Sequence, residues 1–193
     1  MLEELFISKV RVKILTLFFT KPTERHHVRG ITRAIGEEIN AVRRELDRLS
    51  HIGLLGKEAW GNRLYYFLKP DFVYFPELMR LIGKETGLGK VILANHKNLG
   101  DIKYAFMAGR LLRGGVASSK DIDLLIIGKV TLSKLSAIIK DEEKKYAHEI
   151  NYTVFSEEEF AFRKKRHDPF IMTVLMQERV MLIGNEEEML RME

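Results

Sequence analysis

The first 70 residues alternate between helical and strand-like patterns of apolar and polar positions. Apolar residues three and four positions apart indicate amphipathic helices, and short apolar runs beside turn-forming residues indicate strands. In order, the pattern predicts a helix from near Leu5 that ends before Lys21-Pro22, a short strand at His26-His27, a helix that stops at Gly36, a helix over residues 37–49, and strands at 54–58 and 63–68. Trp60-Gly61-Asn62 lies between the two strands and is typical of a hairpin turn.

The rest of the chain predicts a helical connector and then an α/β region. Residues 71–100 are helical in pattern, with Pro76 near the start of the first helix. The elements predicted after the connector are a strand at 102–107, a turn with a short helix at 109–115, a strand at 122–127, a helix at 131–146, a strand at 148–155, helices beginning after Ser156 and Asp168, and a strand at 180–184. The fold class is therefore α+β, with domains expected at 1–70 and 101–193.

Composition and charge narrow the class of protein. The chain has 193 residues, no cysteine, no apolar run of membrane-spanning length and no basic, apolar leader at its start. We therefore expect a cytoplasmic protein without a membrane partner. Residues 1–70 hold 13 Lys+Arg and 8 Asp+Glu, a net charge of +5. This is the net charge of the whole chain, so residues 71–193 are neutral. This asymmetry favours a polyanionic partner for the N-terminal domain.

The segment NAVRRELDRLSHIGLLGKEAWGNRLYYFL, residues 40–68, resembles winged helix-turn-helix transcription regulators of the ArsR-like kind. The resemblance implies a recognition helix for the major groove of double-stranded DNA and a wing that contacts the backbone. The candidate DNA-binding residues are Asn40, Arg43 and Arg44 on the helix and Lys57 and Arg63 on the wing. Because operators are often palindromic, a homodimer is expected.

An alternative is open for the two helix arginines. Arg43 and Arg44 can instead pair with acidic neighbours on a solvated helix surface. The acidic residues within reach along the sequence are Glu37, Glu38, Glu45 and Asp47.

A second resemblance is carried by FMAGRLLRGGVASSKDIDLLIIG, residues 106–128, which looks like the signature of the minimal nucleotidyltransferase fold of the DNA polymerase β superfamily. Residues 149–160 and the segment from Asp168 to Gly184 resemble archaeal members that are joined to a winged helix. Two carboxylates at alternate positions of a strand point to one side and can hold Mg²⁺ together. The resemblance implies metal ligands at Asp121 and Asp123, and nucleotide contacts at Gly109, Arg110 and Gly114.

The chain departs from this signature at three places. Arg110 stands where the pattern has Ser, and Lys120 stands where Ser usually precedes the first Asp. The third carboxylate falls at Asn151, whose neutral amide is a poor Mg²⁺ ligand, with Glu149 as the substitute.

Three alternatives follow for the second domain: an active transferase, a nucleotide or metal sensor, and a scaffold or dimer element. The function expected for the whole chain is a DNA-binding transcription regulator with a degenerate nucleotidyltransferase-fold domain. The alternative is an active Mg²⁺-dependent enzyme that transfers NMP to a protein, RNA or small-molecule acceptor. Its catalytic candidates are Asp121, Asp123 and Glu149.

Overall fold

A computed structural model describes residues 2–108, 122–146 and 149–191 and shows an α+β protein. The chain forms two compact units, Met1–Glu85 and Thr86–Glu193. In the first unit the elements are α1 (Leu2–Leu5), α2 (Lys9–Thr20), β1 (His26–His27), α3 (Val28–Ile35), α4 (Ile39–His51), β2 (Leu55–Trp60), β3 (Arg63–Leu68) and α5 (Phe75–Glu85). In the second they are α6 (Gly87–Leu99), β4 (Gly100–Ala108), β5 (Leu124–Val130), α7 (Leu132–Tyr146), β6 (Tyr152–Phe155), α8 (Glu157–Lys165), α9 (Pro169–Met176), β7 (Arg179–Ile183) and α10 (Glu186–Leu190).

The helix expected at the start of the chain is divided in two at Ser8. The Ser8 hydroxyl accepts a hydrogen bond from the backbone N–H of Arg11 at 3.2 Å and so begins α2. Ile14, Leu15 and Phe18 of α2 are buried in the core of the first unit.

A tight turn joins α3 to α4. Gly36 ends α3 in the left-handed conformation with φ of 66°, which a glycine adopts without the steric cost of a side chain. The Glu38 carboxylate then accepts hydrogen bonds from the backbone N–H groups of Asn40 and Ala41 at 2.8 and 2.9 Å and begins α4. The sequence places the beginning of this helix at residue 37, and the structure places it two residues later because Glu38 is the cap.

The first unit closes with a three-stranded antiparallel sheet in the order β1-β3-β2. β2 and β3 form a hairpin whose turn is Gly61-Asn62, and β1 adds to the other edge of β3 through the pairing of His26 with Tyr66. The chain order in this unit is therefore two helices, a strand, two helices and a hairpin, followed by α5, which contacts α2.

The second unit is built on a four-stranded mixed sheet in the order β6-β5-β4-β7. β4 pairs antiparallel with β5 and β7, and β5 pairs parallel with β6. β5 is a central strand, so its residues are apolar on both faces, and Leu125 and Ile127 join Phe106 of β4 in the core.

The elements of the structure differ from the sequence pattern at several places. The predicted connector is divided, because α5 belongs to the first unit whereas α6 belongs to the second and contacts β4 and α7. The edge strand β6 begins at Tyr152, four residues later than expected. α10 was not predicted, and Asn185 caps it by accepting the backbone N–H of Glu188.

None of the helices within the described parts of the chain is both long enough and apolar enough to cross a bilayer.

Candidate nucleic-acid interface

An open cavity of about 650 Å³ lies in the first unit, where α3, α4 and the β2–β3 hairpin meet. We call it the basic groove, and it is lined by His27, Val28, Arg29, Arg33, Arg43, Asp47, Asn62, Arg63, Leu64 and Tyr66. Four of these residues are arginines and one is acidic, so the groove presents a concentrated positive charge.

The two faces of α4 explain how Arg43 reaches the groove. Val42, Leu46 and Leu49 recur at helical spacing and are buried against the unit's core. Arg43 and Asp47 lie four residues apart on the outer face, and both are exposed. The same helix is therefore anchored by its apolar face and open to a ligand on its polar face.

Two of the four acidic neighbours of the helix arginines, Glu37 and Glu45, form ion pairs with other cations. Glu37 pairs with Lys13 at 2.5 Å, and Glu45 pairs with Arg11 at 2.8 Å and with Arg48 at 3.1 Å.

Glu38 is held by the first turn of its own helix. Backbone hydrogen bonds from Asn40 and Ala41 lower the pKa of Glu38, and the charges of Arg44 and Arg43 lower it further. Across the described residues, neither arginine makes an ion pair, so the pairing alternative left open by the sequence is not observed at 4 Å.

The structure brings together only part of the predicted DNA-binding set. Arg43 and Arg63 both line the basic groove. Asn40, Arg44 and Lys57 are exposed, but they are not among the described residues that line it.

Two arginines of α3 line the groove and were missed by the sequence analysis. Arg29 and Arg33 are exposed and four residues apart, while Ile31 between them is fully buried. That i, i+4 spacing around a buried Ile was the available signal, because it places both cations on one outward face of the helix. Asn62, in the hairpin turn, also lines the groove, whereas the sequence pattern indicates only its role in the turn.

The two histidines before α3 have structural partners. His27 caps α3, since its Nδ1 accepts the backbone N–H of Gly30 at 3.0 Å. The His26 ring packs edge-on against Phe18, with ring centroids 5.1 Å apart. Burial lowers the pKa of His26, and the nearby Glu24 carboxylate only partly opposes this effect. His26 is therefore held in its neutral form to a lower pH than a free imidazole.

The tip of the hairpin carries an exposed aromatic side chain. Trp60 is 74% exposed, pairs across the hairpin with Arg63, and lies 6.0 Å from the Tyr65 ring between centroids. It is the single tryptophan of the chain, so its fluorescence reports on this tip alone.

Most of the predicted nucleotide site lies outside the described residues. This holds for Gly109, Arg110, Gly114 and Asp121. Asp123 is described, and it is fully buried at the beginning of β5.

Hydrogen bonds of its backbone and its side chain join Asp123 to Asn151. The Asp123 carboxylate accepts the N–H of Asn151 at 2.9 Å. The Asn151 carbonyl accepts the N–H groups of Asp123 and Leu124 at 2.8 and 3.2 Å. These bonds join the residues just before β5 and β6, so the carboxylate contributes to strand pairing. Glu149 is exposed.

Mg²⁺ prefers several oxygen ligands in octahedral geometry. Within 2–108, 122–146 and 149–191, no group of three or more His, Asp or Glu side chains is arranged to hold a metal ion. Of the two predicted ligands, only Asp123 is among the described residues, and its carboxylate accepts the N–H of Asn151.

No protein-family model, curated protein or solved structure matches the chain.

Proposed function

We propose that the protein is a DNA-binding transcription regulator that uses the basic groove of its first unit. The carrying observation is that Arg29, Arg33, Arg43 and Arg63 line one open groove, and none of them is in an ion pair with another described residue. Unpaired arginines on one open surface favour an anionic partner, because each retains donors for phosphate or base-edge acceptors.

The order of elements supports double-stranded DNA as that partner. A helix-turn-helix whose second helix has a buried apolar face and a cationic outer face can place that helix in the major groove. In this proposal α4 enters the major groove of the DNA with Arg43 towards the base edges, while α3 and the β2–β3 hairpin contact the phosphates. Asn40 and Arg44, exposed on the same helix, are proposed to extend the contact, as is Lys57 on the hairpin.

The second unit has the role of a scaffold or dimer element in this proposal, with a homodimer bound to two half-sites. The backbone bonds of the Asp123 carboxylate support a structural role for that residue. An active Mg²⁺-dependent nucleotidyltransferase stays the alternative. It requires Asp121 and Asp123 to hold the metal together, whereas one oxygen of the Asp123 carboxylate accepts the backbone N–H of Asn151.

The test is a binding titration with a fluorescently labelled duplex of random sequence, followed by selection of the sequences that bind best. Fluorescence anisotropy is measured at several salt concentrations, and the association constant should fall steeply with salt because bound phosphates release counterions. Arg43→Ala is the test variant, and Arg80→Ala is its control, since Arg80 is an exposed arginine of the same unit that does not line the groove. The proposal fails if the duplex does not bind, or if both variants weaken binding equally.

A further inference from the structure

The first unit contains a second cavity, of about 490 Å³, whose character differs from that of the basic groove. We call it the apolar cavity, and its apolar lining includes Phe6, Leu15, Leu49, Leu54, Phe72 and Leu78. The three leucines Leu15, Leu49 and Leu54 are buried and form its floor. The volume falls within the roughly 300–1,000 Å³ that small-molecule sites occupy.

We call the part of the lining formed by Arg11, Arg48 and Ile52 the mouth of the apolar cavity. Its two arginines share one carboxylate, that of Glu45. Arg11 Nε lies 2.8 Å from one oxygen of Glu45, and an Arg48 terminal nitrogen lies 3.1 Å from the other. Glu45 is buried, which opposes its ionisation. Hydrogen bonds from Arg11 and Ser8 and the charges of Arg11 and Arg48 nevertheless hold the pKa of Glu45 below its ordinary value. At neutral pH, two positive charges are therefore balanced by one negative charge.

The excess positive charge lies where a ligand can reach it. The Arg48 side chain is 64% exposed, and its bond to Glu45 uses one of its five donors. Next to it, Ile52 is 56% exposed at the end of α4. An apolar cavity with a partly satisfied guanidinium at its mouth matches a molecule that has an apolar body and one carboxylate.

We propose that the apolar cavity binds an amphipathic carboxylate, with its hydrocarbon part against Leu15, Leu49 and Leu54 and its carboxylate on Arg48. The apolar part gains by leaving water, and the carboxylate gains a charge-assisted hydrogen bond. Neither group alone selects this class of ligand, since a cation would be repelled at the mouth and a small anion would leave the leucines without a partner.

The same helix connects this cavity to the basic groove. Arg48 and Leu49 line the apolar cavity, and Arg43 of α4 lines the basic groove. A ligand that shifts α4 therefore changes the position of Arg43. This regulatory step rests on the proposed function, whereas binding of the carboxylate does not. If the two sites are coupled, the carboxylate ligand and DNA change each other's affinity by the same factor.

The binding test uses isothermal titration calorimetry of the full chain with decanoate as the probe. Decyltrimethylammonium, which has the same tail and the opposite charge, is the comparison ligand. We expect saturable binding of one decanoate per chain and at least tenfold weaker binding of the cation. Equal affinity for the two probes overturns the proposal, because it would show that the tail binds without any contribution from Arg48.

Two variants locate the site. Arg48→Gln removes the charge at similar length, and Ile52→Glu places a carboxylate at the mouth, on a side chain exposed enough to leave the fold intact. Each should weaken decanoate binding about tenfold or more, while Arg80→Gln should leave it unchanged. Circular dichroism confirms that each variant is folded. Unchanged affinity in both folded variants overturns the proposal.

A second copy of the chain is the competing occupant. Analytical ultracentrifugation of wild type and Ile52→Glu separates the two cases. A wild-type dimer that Ile52→Glu dissociates, together with no decanoate binding, assigns the cavity to an interface between copies and overturns the proposal.

The regulatory step is tested by repeating the DNA titration with decanoate present. The expected result is a change in duplex affinity of at least about fivefold in wild type and none in Arg48→Gln. A protein that binds decanoate but no duplex would contradict the proposed function and leave the ligand site standing. A protein that binds duplex but no decanoate would contradict the ligand site and leave the proposed function standing.

Discussion

The basic groove and the beginning of β5 both hold charged residues that the sequence predicts to be functional. The two sets differ in their exposure to solvent and in their bonding. Arg43 and Arg63 are exposed, line an open groove and form no ion pair with a described residue. Asp123 is fully buried, and its carboxylate accepts a backbone N–H from Asn151. A charged group that is exposed and unpaired is available to a partner. One that is buried and bonded to the backbone already contributes to the fold.

A charged residue in a motif can therefore be open to a binding partner in one place and belong to the hydrogen bonding of the fold in another. Burying a carboxylate requires bonds that replace its hydration, and Asn151 supplies one of them. Exposed guanidinium groups keep their hydration until a ligand replaces it. The first unit is therefore the part of the molecule on which we base a binding function.

We expect the largest effect on DNA binding from substitutions in the basic groove. The double variant Arg43→Ala/Arg63→Ala should weaken specific duplex binding by about a hundredfold, since each contact is worth roughly 1–3 kcal/mol. Loss of a phosphate contact should also reduce the slope of log K against log salt by about one unit. Anisotropy titrations at several salt concentrations measure both quantities. Wild-type affinity in the double variant would remove both arginines from the interface.

A stability measurement tests the other half of the comparison. Asp123→Ala should lower the free energy of unfolding by about 1–3 kcal/mol, because the partly buried N–H of Asn151 loses its acceptor. Asp123→Asn keeps an oxygen acceptor and should lose less. Urea denaturation followed by circular dichroism gives both values. If Asp123→Ala is as stable as wild type, the carboxylate is retained for something other than the fold.

A pH titration sharpens the description of the first unit. Because burial lowers the pKa of His26 below its ordinary value of 6.5, the unfolded chain binds a proton more readily than the folded one. Stability should therefore fall as pH decreases below about 6.5, until the folded-state pKa is passed. Thermal unfolding of wild type and His26→Gln between pH 7 and 5 would show this shallow loss in wild type only. Parallel curves for the two proteins would contradict the assignment.

The smallest expected effect is an absence of binding. Calorimetric titration of Mg²⁺ with each nucleoside triphosphate should give the same heats for wild type and for the variant Asp121→Ala/Asp123→Ala. Aspartate-dependent binding would instead show that the metal site is functional and would favour the transferase alternative. Circular dichroism of the variant separates loss of binding from loss of folding.

The order of elements was readable from the sequence wherever local signals were strong. Gly36, the Gly61-Asn62 turn and Asp168 before Pro169 each impose a boundary through backbone conformation or capping, and the structure has the boundaries there. Boundaries set by other contacts were displaced. α4 begins at its Glu38 cap, and β6 begins at Tyr152, after the bonds that join Asn151 to Asp123.

The candidate sites also divide into residues that local signals identify and residues that only the folded structure brings together. Arg43 and Arg63 could be chosen from the sequence because helix periodicity and hairpin pattern place them outward. Arg29 and Arg33 could not be joined to them, since α3 and the hairpin meet only when the unit is folded. The apolar cavity was also beyond sequence reasoning, because its leucines have the same pattern as any buried core residue.

By itself, the sequence determined the α+β class, the concentration of positive charge in the first 70 residues and the outward face of α4. These follow from periodicity and composition, which are local properties of the chain. Only the tertiary structure decided which arginines share a groove, that Glu37 and Glu45 pair with Lys13 and Arg11 rather than with Arg43, and that Asp123 is buried. Those outcomes depend on distances between segments far apart in sequence, and folding alone sets such distances.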